Sequence, residues 1–236
     1  MKDKIKGGLW GLLIGDALGV PYEFKDARDI PSYAEIEMIP PAGYDRTYKD
    51  ILPGTWSDDG AQALCLLDSL LSCGGLDLDD FASRMLSWYN DGSYAVANHV
   101  FDVGVQTAQS LTAFSQGMPP EKSGSIIPDG KGNGALMRVL PLVLWAEMTG
   151  LTERELFLAA HRQCLPTHGH PVNQVCCALY CLVSRGLLHG QPFKQAYRMA
   201  VKVLKEESEL LPGDYTREVE FAFRPGPAME GTGLGV

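Results

Sequence analysis

The chain has 236 residues, 45% hydrophobic and 21% charged, an ordinary balance for a globular protein with one substantial core. Its net charge of -9 argues against a sequence-independent grip on nucleic acid, which needs clustered Lys and Arg to displace counterions. The most apolar stretch, residues 8–20, is too short to cross a bilayer, is broken by Asp16, and follows no basic leader with a cleavage site; we expect a single cytoplasmic domain over residues 1–236 with no membrane partner.

Apolar residues recur at three- and four-residue intervals along most of the chain, so the predicted class is all-α. The first helix is expected over Ile5 to Leu18. Gly11, Gly15 and Gly19 lie in and just beyond it, and because glycine costs helix stability they suggest close backbone packing. Gly19 and Pro21 should end this helix, leaving Glu23 just beyond; taken alone, Asp16 reads first as a polar residue satisfied within the bundle, and Glu23 as a solvated loop carboxylate. A long connection rich in Pro, Gly and Asp follows, Tyr22 to Pro53. Loops of that length in a compact domain are often functional.

Trp56-Ser57-Asp58-Asp59-Gly60 opens the next helix, Asp59 to Leu71. Two adjacent carboxylates beside a hydroxyl make a compact set of hard oxygen ligands suited to Mg²⁺ or Mn²⁺. The alternative is an N-cap at Ser57, with two acids at the positive end of the helix dipole. A helix over Leu78 to Tyr89 precedes Asn98-His99-Val100-Phe101-Asp102-Val103-Gly104, where Asp102 could be a general base, an orienting group, or an acid at the start of a helix over Val100 to Phe114.

After a second long connection, Ser115 to Gly132, the run Gly132-Asn133-Gly134-Ala135-Leu136-Met137-Arg138 opens a helix expected over Ala135 to Trp145. Backbone N–H groups freed by glycines at a helix start suit a phosphate or a ribose hydroxyl; a plain turn and cap is the alternative. Helices are expected over Glu153 to Gln163, Val172 to Leu188 and Phe193 to Lys205. Pro166-Thr167-His168-Gly169-His170-Pro171, which starts the second of these, places two imidazoles where they could hold a ligand or orient an acid. The six cysteines lack zinc-site spacing and read as buried free thiols; Cys176 and Cys177 with His168 and His170 match known zinc ligand sets poorly.

Five motifs in order carry more than any one alone: Gly-Asp-Ala-Leu-Gly-x-Pro-x-Glu, then Ser-Asp-Asp, then Asp-x-Gly-x-x-Thr, then Gly-Asn-Gly-x-x-Met-Arg, then Thr-His-x-His-Pro. Over roughly residues 5–190 this order resembles the ADP-ribosylglycohydrolase family. The resemblance implies an all-α multi-helix domain with a central cleft, two Mg²⁺ or Mn²⁺ ions, and hydrolysis of the bond between ADP-ribose and an acceptor, often arginine. The implied partner is an ADP-ribosylated protein or a small ADP-ribosyl substrate.

Carried over, it makes Ser57, Asp58 and Asp59 metal ligands, with Ser57 in place of the usual Thr. Glu23 would ligate a metal or position water or ribose, and Asp102 would contact the ribose or the attacking water. Gly132, Asn133, Gly134, Met137 and His168 would line the ADP-ribose cleft. The family's late Gly-x-Asp-x-Asp-Thr motif is absent from this sequence, although Gly231-Thr232-Gly233 looks like the approach to it. The expectations that follow are a domain short at its C-terminus, apolar faces left uncovered, and weakened or single-metal binding with water supplying missing ligands. A non-catalytic ADP-ribose binding module, or an inactive remnant of the fold, is the alternative.

Overall fold

The apolar periodicity is realised as nine α-helices with no strand among residues 1–127 and 130–207, the residues described in the computed structural model. The first, α1 (Lys2–Gly19), runs into a short 3-10 turn, Val20–Tyr22, with Pro21 in its first turn. Glu23 follows in extended backbone. Ser57 caps α2 (Asp58–Cys73) by accepting the Asp59 N–H, and Gly74 at φ 65° ends it. Asp77 caps α3 (Leu78–Asp91) in the same way through the Asp80 N–H. The residue after α3, Gly92, has φ 72°, and a Cβ there would lie 2.2 Å from the Asn98 carbonyl oxygen. Only glycine lets the loop toward Asp102 fold back so closely.

The remaining helices are α4 (Val105–Ser115), α5 (Pro120–Ser123), α6 (Leu140–Thr149), α7 (Glu153–Arg162), α8 (Pro171–Leu188) and α9 (Phe193–Glu206). Two starts differ from the sequence reading. Residues 100–104 are not helical, because Asp102 sits at φ 58° and breaks the right-handed path before α4. Asp102 is therefore not an acid in a helical first turn. Residues 134–138 form turns in which the Leu136 N–H donates to the Asn133 carbonyl at 2.8 Å, and α6 begins only at Leu140. Pro141, in the first turn of α6, lacks the N–H that a continuous helix would need there.

Packing centres on α8, which lies against α7 and α9, and on α2, which lies against α3 and α6. Leu66, Leu70, Phe81, Met85, Trp88, Leu142 and Phe157 are almost completely buried between them. The glycines of α1 play a different part from the one expected. A Cβ at Gly11, Gly15 or Gly19 would meet nothing within 4 Å among the described residues, and the neighbouring Trp10 and Ile14 are 60% and 52% exposed. That face of α1 thus points away from the described bundle, whereas Gly8 alone in this helix sits close to Leu144.

Cys65, Cys164, Cys177 and Cys181 are buried and unpaired, as the sequence suggested; Cys73 is exposed. No described helix is long and apolar enough to cross a membrane. The expectation about Gly231-Thr232-Gly233 lies outside the described residues.

Candidate functional site

Asp16, near the end of α1, reaches across to the start of α2. Its carboxylate accepts the Ser57 N–H at 3.0 Å, the Ser57 hydroxyl at 2.8 Å and the Gly60 N–H at 2.7 Å. Free N–H groups at a helix start attract a carboxylate, and these three bonds lock two helix ends together. They also fix Ser57, whose hydroxyl donates to Asp16 and accepts from Asp59. Gly60 permits the approach, since a Cβ there would lie 2.9 Å from Asp16 Oδ2 and from the Trp56 ring. The sequence marked Asp16 only as a satisfied polar residue; its capping role depends on a partner 41 residues away.

Asp58 and Asp59 project from the first turn of α2. Gln62, one turn on, donates from Nε2 to Asp58 Oδ2 at 3.0 Å. Its Oε1 accepts from Arg138 Nη1 at 2.9 Å. A guanidinium can only donate, so Arg138 dictates which end of the Gln62 amide faces it, and the N–H₂ end must face Asp58. Arg138 is fully buried, lies 5.1 Å over the Phe81 ring, and donates as well to the Gln163 carbonyl at 3.0 Å. Burial pushes its pKa down to about 10, so it stays charged at neutral pH. Gln62 went unnoticed in the sequence, where its place in an otherwise apolar face was the available signal.

Glu23 and Asp102 complete the acidic group. Tyr48 donates to Asp102 Oδ1 at 2.5 Å, and Thr47 donates to the Glu23 backbone carbonyl at 2.7 Å, so the long loop after α1 folds over the acids. Among the described residues, Glu23 Oε2 is buried with no hydrogen-bond partner. Burial, then contact with Asp102, pushes the Glu23 carboxyl up to about 8. Burial, then Asp59, Asp102, Asp16 and Glu23, push Asp58 up to about 9; burial, then Asp16 and Asp102, push Asp59 up to about 6. Asp16 is raised mainly by burial. None of the five acids forms an ion pair with Lys, Arg or His among the described residues.

Partly buried carboxylates that repel one another, with a buried oxygen that has no partner among the described residues, fit a hard divalent cation by charge and donor type. Among the described residues no three His, Cys, Asp or Glu side chains gather as a ready-made ligand group, so such an ion would keep several waters. The same observation leaves the Cys176, Cys177, His168 and His170 set without support as a zinc site.

The glycine run and His168 form a second group. A Cβ on Gly134 would lie 2.7 Å from His168 Cε1, and one on Gly132 would lie 3.2 Å from His168 Nε2 and from Gln106 Oε1. Gln106, one turn beyond Asp102, donates to the Gly130 and Thr167 carbonyls, both at 3.2 Å, and so ties α4 to this group. His168 Nδ1 and the Thr167 hydroxyl are 2.8 Å apart. Gly132 and Asn133 are exposed, Gly134 is buried and Met137 is partly buried. His170 instead caps α8, accepting the Val172 N–H at 3.2 Å.

These charges set a pH profile. A carboxyl whose pKa rises on folding stabilises the native state below its unfolded value and loses that contribution as pH climbs through the folded one. Asp59, Glu23 and Asp58 spread this loss across about 6, 8 and 9. Burial lowers His161 to about 4 and His168 to about 3; their contribution is full above the ordinary histidine value and is lost as pH falls through those values. The metal-free protein should therefore melt highest near about pH 4 to 5, close to the unfolded carboxylate values, and progressively lower toward about pH 9, with Mg²⁺ restoring the alkaline side. Thermal melts by circular dichroism in a chelator check this; a flat profile above pH 6 would contradict the crowding of the acids.

A family model described as ADP-ribosylglycohydrolase matches residues 1–232. The chain is 28% identical over 195 residues to the ADP-ribosylarginine hydrolase Tri1 of Serratia proteamaculans (strain 568), covering 83% of this chain and 50% of that protein. It is 26% identical over 208 residues to the ADP-ribosyl-[dinitrogen reductase] glycohydrolase of Rhodospirillum rubrum, covering 88% of this chain and 65% of that protein. Among solved structures, an "ADP-ribosylglycohydrolase-related protein complex" superposes with a TM-score of 0.60 at 31% identity, covering 83% of this chain and 59% of the other. The chain spans about half the length of the first of these curated relatives.

Proposed function

The chain belongs to the ADP-ribosylglycohydrolase family, and from that premise we propose that it hydrolyses the glycosidic bond between ADP-ribose and an acceptor side chain, arginine foremost, with Mg²⁺ or Mn²⁺ as cofactor. The observation that carries this reading is the group of acids with no ion pair to Lys, Arg or His among the described residues, Asp16, Glu23, Asp58, Asp59 and Asp102, three of them raised to about 6, 8 and 9. Relatives named for ADP-ribosylarginine and ADP-ribosyl-[dinitrogen reductase] support the acceptor and a protein-borne substrate.

Ser57, Asp58 and Asp59 would hold the cation, with Glu23 beside them. When bound, the ion supplies Lewis acidity and orients ribose hydroxyls and water. The protein's own groups do the rest. Gln62 occupies Asp58 Oδ2, and the other oxygen would serve the cation. Tyr48 holds Asp102 through Oδ1, and the Asp102 carboxylate would take a proton from the attacking water. In the balanced reaction the water oxygen joins the anomeric carbon as the carbon–nitrogen bond breaks, one water proton passes to a carboxylate, and the leaving guanidine gains a proton. The exposed backbone at Gly132 and Asn133, with His168 beneath, would receive the ADP-ribose.

A second reading retains ADP-ribose binding without turnover, and the lack of a ready-made ligand group among the described residues favours it. Release of ADP-ribose from an ADP-ribosylarginine peptide, with Mg²⁺ or Mn²⁺ and then with a chelator, separates the two. Hydrolysis predicts chelator-sensitive release; binding alone predicts a saturable ADP-ribose titration with no release in either condition.

A further inference from the structure

We propose that Phe24, Tyr48 and Phe101 form an aromatic ledge that seats the guanidinium of the acceptor beside the acids. This rests on the glycohydrolase reading above and names the part of the site that would distinguish arginine from an uncharged acceptor.

Phe24 follows Glu23 directly, has φ 57° and is 75% exposed. A bulky residue in the left-handed region costs about 1–3 kcal/mol, and strain of this kind gathers at ligand sites. It yields no core packing here, since the ring stands in the open. What the ring does touch is Tyr48, edge-on with centroids 6.3 Å apart, and Tyr48 meets Phe101 edge-on at 5.0 Å. The middle ring is anchored to the acids, because Tyr48 donates to Asp102 Oδ1. Asp102, adjacent to Phe101, is itself left-handed at φ 58°. Phe24 in costly backbone and Asp102 in a left-handed turn that aspartate tolerates thus place two rings beside two carboxylates, Glu23 and Asp102.

Aromatic faces bordered by carboxylates recognise an organic cation. A guanidinium is planar and weakly hydrated, stacks on rings, and donates in the plane to carboxylates. An uncharged hydroxyl acceptor has no cation to place on the rings and offers a carboxylate only one neutral donor.

The test uses the full chain saturated with ADP-ribose and Mg²⁺, so that no bond is cleaved, and titrates agmatine by saturation-transfer NMR, with N-acetylserine amide as the uncharged control. Agmatine should bind and the control should not. Phe24→Ala should weaken agmatine by about five- to thirtyfold, the range expected from losing one cation–π contact. Phe24→Tyr should retain the affinity, and ADP-ribose affinity should change less than about twofold in both variants. Phe101→Leu gives an independent variant with the same expectation as Phe24→Ala. Agmatine affinity unchanged in both aromatic deletions, equal binding of the control, or a parallel fall in ADP-ribose affinity overturns the proposal alone. Absence of ADP-ribose binding to the unaltered chain overturns the glycohydrolase reading, and the ledge with it.

Discussion

Replacing Asp58 and Asp59 together by asparagine is expected to raise the melting temperature of the metal-free protein at about pH 8 by several degrees, while reducing any chelator-sensitive release of ADP-ribose by about a thousandfold. Both effects have one cause. Asp58 is buried and Asp59 partly buried beside Asp16, Glu23 and Asp102, and burial plus repulsion raises each above its ordinary value. A carboxamide is isosteric and neutral, and its oxygen at position 58 can still accept from Gln62. The variant therefore removes repulsion and keeps the packing. The alkaline fall in stability should flatten with it, and Mg²⁺ should no longer raise the midpoint. A variant less stable than the parent at every pH would show that these acids act as structural caps for α2. A stability gain with undiminished release would remove them from the catalytic site.

Arg138→Met is expected to cost about 3–5 kcal/mol, measured by chemical denaturation, because it withdraws a buried charge from partners left unpaired. Its partners among the described hydrogen bonds are the Gln62 amide oxygen, the Gln163 carbonyl and the Gln163 amide oxygen at 3.4 Å, with the Phe81 face below. None is a carboxylate. Methionine fills much of the volume and supplies no donor, so buried acceptors lose their bonds. The Gln62 amide also loses its reason to point its N–H₂ group at Asp58, so the variant should bind Mn²⁺ more weakly than its folded fraction explains. Arg138→Lys should recover little, since one ammonium cannot reach acceptors spread around a planar fork. A loss below about 1 kcal/mol would mean that water replaces the guanidinium there.

Much of this was legible in the chain itself, for local reasons. Ser57 before two acids and an apolar run specifies a capped helix within a few residues, and Gly74 ends it where the periodicity does. Gly19-Val20-Pro21 stops α1 at the expected place. The misplaced starts of α4 and α6 share a cause: apolar spacing continues through Val100, Phe101 and Val103, and through Ala135 and Leu136. The break comes from backbone geometry at Asp102 and from the missing donor of Pro141. The glycines of α1 misled because glycine marks either close approach or simple absence of a side chain, and spacing does not tell these apart.

In the candidate site, the acids and the glycine run were visible as motifs, but their supports were not. Tyr48 lay in a loop without periodicity, and Gln62 was one polar residue on an apolar helix. Arg138 was noticed only as the end of a motif. Each gains its role from a partner far along the chain, which no local pattern encodes.

That remoteness has a kinetic meaning. The bonds that hold the acidic group join residues 41, 54 and 76 positions apart: Asp16 with Ser57, Tyr48 with Asp102, and Gln62 with Arg138. Helix formation needs contacts only a turn apart and proceeds in about a microsecond or less, whereas each of these bonds must first close a long loop. A chain with its helices formed but its ends undocked would have the full circular dichroism of this protein and no assembled acidic group. Ligand-binding competence in refolding should then lag behind helical signal, and the site would serve as a clock for the last step of assembly.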